Sequence, residues 1–121
     1  MGIGDDAAWV VHPTRSSLIT ADLLIEGVHF DLRWISLFEP GYKSLAVNLS
    51  DIAAMGGVPA YLTLSLGIPS HFTSEEMDRF YHGIKSLAVK HNVTVIGGDT
   101  SVADKLLISA CLIGHAPYRP I

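Results

Sequence analysis

Hydrophobic and polar residues alternate along Ser17–Ile25, "SLITADLLI", and predict a β-strand with Leu18, Thr20 and Asp22 on one face and Ile19, Ala21 and Leu23 on the other. A shorter strand is expected before it, at Ala7–Val11. From Glu26 to Glu39 the pattern breaks into a long connection carrying His29, Asp31, Arg33 and Trp34, the kind of segment that often carries function. Pro40 suits the first turn of a helix, and Tyr42, Leu45, Ala46, Leu49 and Ala53 then recur at helical spacing. Val47, Ala54 and Met55 add apolar surface on other sides, so this helix is expected to be covered on more than one face, and Gly56-Gly57 ends it.

"AYLTLSLGI" alternates again, with Leu62, Leu64, Leu66 and Ile68 opposite Tyr61, Thr63, Ser65 and Gly67. Thr73 and Glu76 have capping-box spacing at the start of a second helix, whose stripe is Met77, Phe80, Tyr81, Ile84, Leu87 and Ala88 and which Asn92 closes. Thr94–Ile96 reads as a short strand entering a turn-rich loop, "GGDTSVADK", and Leu106–Ile113 as the last strand, with Pro117 and Pro120 marking a frayed end. The predicted order is β-β-α-β-α-β-β: an α+β fold with two helices on one face of a mixed or antiparallel sheet.

The 121 residues make one domain. Hydrophobic residues reach 49% and charged ones 17%, which argues against disorder and for a large buried sheet or a surface covered by a partner. The net charge of −4 without a basic run gives no nucleic-acid footprint. No apolar run approaches the roughly 18 residues of a membrane span, and Asp5 and Asp6 stand where a signal peptide would be apolar. The single cysteine, Cys111, excludes an internal disulfide, fits a cytoplasmic location, and reads as a packed, inert thiol.

Candidate chemistry lies with the aspartates. Asp5 and Asp6 are adjacent in a turn, Asp22 shares a strand face with Thr20, Asp51 sits in an otherwise apolar helix, and Asp99 follows two glycines. Each has an ordinary alternative: a turn residue at Asp5 and Asp6, an Arg or backbone partner for Asp22, a polar stripe with Asn48 and Ser44 for Asp51, a turn cap for Asp99. Jointly they suit hard cations such as Mg²⁺, which takes carboxylate, phosphate and water oxygens. No Cys/His cluster for zinc and no P-loop motif is present.

"GIGDDAA", "TADLLIEGVHF", "KSLAVNLSDIAAMGGVPAYLTLSLGIP" and "VIGGDTS", in this order, resemble the N-terminal domain of the thiamine-monophosphate kinase family, within the aminoimidazole ribonucleotide synthetase superfamily. The resemblance covers nearly the whole chain. It implies ATP- and Mg²⁺-dependent phosphorylation of thiamine monophosphate to thiamine diphosphate, with Asp6, Asp22, Asp51 and Asp99 as metal ligands and Thr20 adding an oxygen. It further implies that Gly98 and Asp99 lie where the nucleotide phosphates bind, with Tyr81 near the nucleotide and His29 near the thiamine substrate. A homodimer that joins two sheets into a barrel is implied as well. The alternatives are another ATP-using synthetase of the superfamily, or a non-catalytic dimerisation or ligand-binding module.

The chain departs from the family in three respects. Ala21 stands where the family commonly has threonine or serine, the helix that precedes "GIGDD" is missing, and so is a C-terminal domain with its basic nucleotide contact. An excised or truncated N-terminal half with little activity of its own is therefore expected.

Overall fold

The computed structural model describes residues 16–116. Their order is β1 (Ser16–Ile25), α1 (Phe38–Ala54), β2 (Val58–Ile68), α2 (Ser74–Lys90), β3 (Thr94–Val102) and β4 (Leu107–Ala116). The strand expected at Ala7–Val11 lies outside the described residues. The four strands form one mixed sheet in the order β1-β4-β2-β3, antiparallel except for the parallel β2–β3 pair, which α2 connects as a crossover.

The core lies between one face of this sheet and the helix pair. Leu62, Leu64 and Leu66 of β2 and Ile108, Ala110 and Leu112 of β4 meet Leu45 and Ile52 of α1 and Phe80, Ile84 and Leu87 of α2. The helices touch backbone to backbone. A Cβ at Gly41 would stand 2.1 Å from the Phe80 carbonyl oxygen, and one at Gly83 2.1 Å from that of Phe38, so only glycine permits the crossing. Among the described residues no helix is long and apolar enough to cross a membrane.

Local signals explain the helix ends. The Thr73 side chain accepts from the Glu76 N–H at 3.1 Å, and the Glu76 carboxylate accepts from the Thr73 N–H at 3.1 Å, which completes the expected capping box. Asn92 takes a left-handed φ of 56° just past α2, and the Val93 N–H returns to the Ala88 carbonyl at 2.9 Å. The first helix begins at Phe38, two residues before Pro40, because Ser36 Oγ accepts from the Phe38 N–H at 3.3 Å and donates to Glu39 at 2.8 Å.

Two expectations are corrected. "GGDT" is not a loop: β3 runs on to Val102, its pairing with β2 carrying it through Gly97 and Gly98 after an irregularity near Ile96. Cys111 is not sealed in the core but half-buried, on the sheet face away from the helices, in register with Ala21 and Thr63. That face is apolar. Ile19 is 68% exposed and Leu23 52%, while their polar neighbours Thr20 and Asp22 turn inward beside the helices. The first strand is thus amphipathic in the sense opposite to that of a sheet with one watered side.

Candidate nucleotide and metal site

The parallel register places Gly98 against Leu64 and Asp99 against Ser65 at the sheet edge. A Cβ at Gly98, whose φ is +155°, would lie 1.6 Å from the Leu64 carbonyl oxygen, so glycine alone allows β3 to run this close to β2. The Asp99 carboxylate accepts from the Thr100 N–H at 2.8 Å and is otherwise exposed. Across from the edge, α2 presents Tyr81, which the sequence pattern assigns to the apolar stripe but which is 46% exposed and packs its ring edge-on to Phe80 at 5.4 Å. Between them runs a cleft of 240 Å³ lined by Leu64, Leu66, Tyr81 and the segment Val95 and Gly97–Thr100. An apolar hollow of 310 Å³ shares Leu64, Tyr81 and Val95 with it and continues to Ile84, Lys85 and Val93. Tyr81, Gly98 and Asp99, the three candidate nucleotide residues, therefore line one cleft.

Thr20 and Asp22 lie on the helix-facing side of β1. The Thr20 hydroxyl donates to Asn48 Oδ1 at 2.7 Å, and the Asn48 amide donates to the Ser44 carbonyl at 3.0 Å, so the hydroxyl hydrogen is used inward and the oxygen lone pairs stay available. Asp22 Oδ2 is sealed from solvent and finds no hydrogen-bond partner among the described residues. A buried, unsatisfied polar atom costs about 1–3 kcal/mol, more when charged. This arrangement fits a hard cation: two oxygen donors two residues apart, one of them without a hydrogen-bond partner among the described residues.

Other expectations about the aspartates fare differently. Asp51, one turn beyond the buried Asn48, is exposed rather than buried. Asp22, Ala110, Leu64 and Gly98 form one lateral row across the four strands. Three strand spacings put its ends about 14 Å apart. No three of the described His, Cys, Asp and Glu residues gather where one ion could be held. Asp22 and Asp99 therefore stand on opposite edge strands of the sheet, and Asp51 stands on α1; Asp6 lies outside the described residues.

His29 projects from the β1–α1 connection. Its ring Nδ1 accepts from the Ile25 N–H at 2.9 Å, and its carbonyl accepts from the Lys43 ammonium at 3.1 Å. Nearby, Arg33 grips Asp31 with both Nε and a terminal nitrogen, the latter at 2.6 Å from Oδ2. These bonds hold the Asp31 carboxyl below its ordinary value. Glu26, Gly27, Asp31, Leu32 and Arg33 line an open hollow of 500 Å³ here.

The described family model for AIR synthase related protein, N-terminal domain, matches residues 4–116. The chain belongs to that family. It is 45% identical over 117 residues to the thiamine-monophosphate kinase of Bacillus subtilis, covering 95% of this chain and 36% of that protein. It is 39% identical over 113 residues to the thiamine-monophosphate kinase of Aquifex aeolicus, covering 93% and 37%. A solved structure of AaThiL complexed with AMPPCP and TMP superposes with a TM-score of 0.81 at 39% identity, covering 93% of this chain and 36% of that one. The thiamine-monophosphate kinase of Stenotrophomonas maltophilia superposes with a TM-score of 0.85 at 41% identity, covering 96% and 36%. Hydrogenase maturation protein HypE in complex with ATP shares the fold, with a TM-score of 0.75 at 21% identity over 93% and 33%. The chain spans about a third of the length of the curated relatives it matches.

Asn48 and Lys43 escape a reading based on charge alone. Asn48 looks like part of a solvated stripe, yet it is 0% exposed and holds Thr20. Its signal was the placement of an amide one turn before Asp51 in "NLSD".

Proposed function

We propose that this chain is the metal- and nucleotide-binding part of a thiamine-monophosphate kinase. Such an enzyme transfers the γ-phosphoryl group of ATP, with Mg²⁺, to thiamine monophosphate and forms thiamine diphosphate. The observation that carries the proposal is the meeting of Tyr81 with Gly98 and Asp99 on one cleft, in a chain whose relatives are named for that activity. Gly97, where a Cβ would meet nothing within 4 Å, leaves the backbone of β3 open to phosphate oxygens, and Tyr81 offers a ring on the same cleft.

Asp22 and Thr20 would hold Mg²⁺ at one end, with Asp6, Asp51 and Asp99 as further candidates. The metal, when bound, supplies charge neutralisation as negative charge moves toward the departing ADP. The γ-phosphorus–oxygen bond to the β-phosphate breaks, its electron pair leaves with ADP, and a bond forms from an oxygen of the substrate phosphate to the γ-phosphorus. That oxygen is already largely unprotonated near neutral pH, as phosphate monoesters have a second pKa of about 6. The reaction therefore asks for positioning and electrostatics rather than a protein nucleophile or base. His29 is assigned to the substrate.

The apolar open face of the sheet, with Ile19 and Leu23 at its edge, is assigned to a homodimer in which two sheets close into a barrel. The half-buried thiol of Cys111 on that face fits a reducing, cytoplasmic setting.

Calorimetry with AMPPCP tests the reading. Binding that needs Mg²⁺ and is weakened at least 10-fold by Asp99→Asn and by Tyr81→Ala is the expected result. Binding indifferent to Mg²⁺ and to both substitutions refutes it.

A further inference from the structure

Three backbone hydrogen bonds tie the turn that carries His29. The His29 N–H donates to the Ile25 carbonyl at 2.9 Å, the Val28 N–H to the same oxygen at 3.0 Å, and the Gly27 N–H to the Phe30 carbonyl at 2.8 Å. Phe30 is buried and anchors the end of the turn. The imidazole closes the arrangement, because Nδ1 accepts from the Ile25 N–H at 2.9 Å. A backbone N–H can only donate, so Nδ1 carries no hydrogen, and the neutral ring must hold its hydrogen on Nε2. His29 is exposed, and Nε2 has no hydrogen-bond partner among the described residues.

A second group holds the same residue from the helix side. Lys43, on the second turn of α1, reaches across the connection and donates to the His29 carbonyl at 3.1 Å. No pairing of Lys43 with a carboxylate occurs among the described residues. Its contact goes instead to the backbone of the one residue in the turn that displays a free ring donor.

We propose that His29 is a dedicated hydrogen-bond donor, locked as the Nε2–H tautomer by the Ile25 amide, and that Lys43 is the positioning residue that keeps it so. The ligand group it takes is a hydrogen-bond acceptor, not an ammonium or an amide hydrogen. His29 is thereby excluded as a general base, since Nδ1 is engaged and Nε2 already carries a hydrogen. The assignment of the acceptor to the phosphate of thiamine monophosphate rests on the kinase reading above. The tautomer and the role of Lys43 rest on the geometry alone.

The two parts are tested separately on the 121-residue chain. In ¹⁵N–¹H correlation spectra of the histidine rings, His29, assigned by its loss in His29→Gln, should show an unprotonated Nδ1 and a protonated Nε2. Lys43→Met should give a tautomer-averaged ring, and Lys43→Arg should restore the wild-type pattern. A protonated Nδ1, or an averaged ring in the wild-type chain, overturns the proposal whatever the substrate proves to be. Calorimetry with thiamine monophosphate, in the presence of Mg²⁺ and AMPPCP, then reads the coupling. Lys43→Met and His29→Ala should each weaken binding about 3- to 10-fold, the range for losing one such hydrogen bond. The double variant should be no worse than His29→Ala alone. Additive losses overturn the role of Lys43. Failure of the wild-type chain to bind thiamine monophosphate overturns the identity of the acceptor, and a correct ring spectrum in that case leaves the donor assignment standing.

Discussion

Replacing Gly98 by alanine tests how the nucleotide cleft is built. The new methyl carbon would lie 1.6 Å from the Leu64 carbonyl oxygen, 2.6 Å from its carbonyl carbon and 3.1 Å from its nitrogen. All three are backbone atoms of a buried strand, so no side chain can swing aside. Restoring an ordinary carbon–oxygen contact of about 3.3 Å requires β3 to withdraw by about 1.5 Å or more. A ladder hydrogen bond does not survive such a shift. With two or three bonds lost at about 1 kcal/mol each, and about 1–2 kcal/mol for a φ that L-residues avoid, the loss is roughly 3–5 kcal/mol. At about 3–5 °C per kcal/mol for a domain of this size, the melting temperature should fall by roughly 10–20 °C.

Gly97 is the internal control. A Cβ there meets nothing within 4 Å, so Gly97→Ala should change stability by less than about 1 kcal/mol. Thermal unfolding followed by circular dichroism, paired with urea midpoints, compares the two. Hydrogen exchange along Thr94–Val102 locates the damage in Gly98→Ala. Equal melting temperatures for the two alanine variants would refute the claim that close strand approach, rather than chain flexibility, is what requires glycine at Gly98.

Three further outcomes follow from the same structure. Asp22→Asn should leave the metal-free chain as stable or slightly more stable, because a charge on the sealed, unpartnered Oδ2 is removed; thermal shift should show that Mg²⁺ with AMPPCP no longer stabilises it, and an undiminished shift would rule Asp22 out as a ligand. Leu23→Glu, at a position 52% exposed on the open sheet face, should change the stability of a single chain by less than about 0.5 kcal/mol yet, under the proposed homodimer, shift sedimentation toward monomer, and an unchanged sedimentation profile would count against that pairing. The Asp31 carboxyl is held low by Arg33, so the stabilisation from that pair is complete above the ordinary carboxylate value and is lost only as pH falls through the lowered one. Emission from Trp34, whose ring centroid lies 6.0 Å from the Arg33 guanidinium carbon, should therefore stay constant from neutral pH to about pH 5 and change only in stronger acid, and Asp31→Asn should abolish that acid step.

What the sequence determined by itself was local. Thr73 and Glu76 announce the start of α2 because a capping box is made within four residues. Gly56 and Asn92 announce helix ends because left-handed φ values are cheap only for such residues. Alternation along β1 correctly divided Thr20 and Asp22 from Ile19 and Leu23. Alternation cannot say which of two faces is covered, however, and here the helices cover the polar set and leave the apolar one open. Only the tertiary structure decided that, as it decided that "GGDT" is strand: its pairing partner is Leu64–Leu66, more than thirty residues away in the chain. The same holds for the cleft. Tyr81 belongs by spacing to a buried stripe and Gly98 by composition to a turn, and neither property hints that they face one another. They meet because a parallel β2–β3 pair obliges the chain to cross over through α2, which lays the helix beside the strand edge, a constraint of packing that no short window of residues contains.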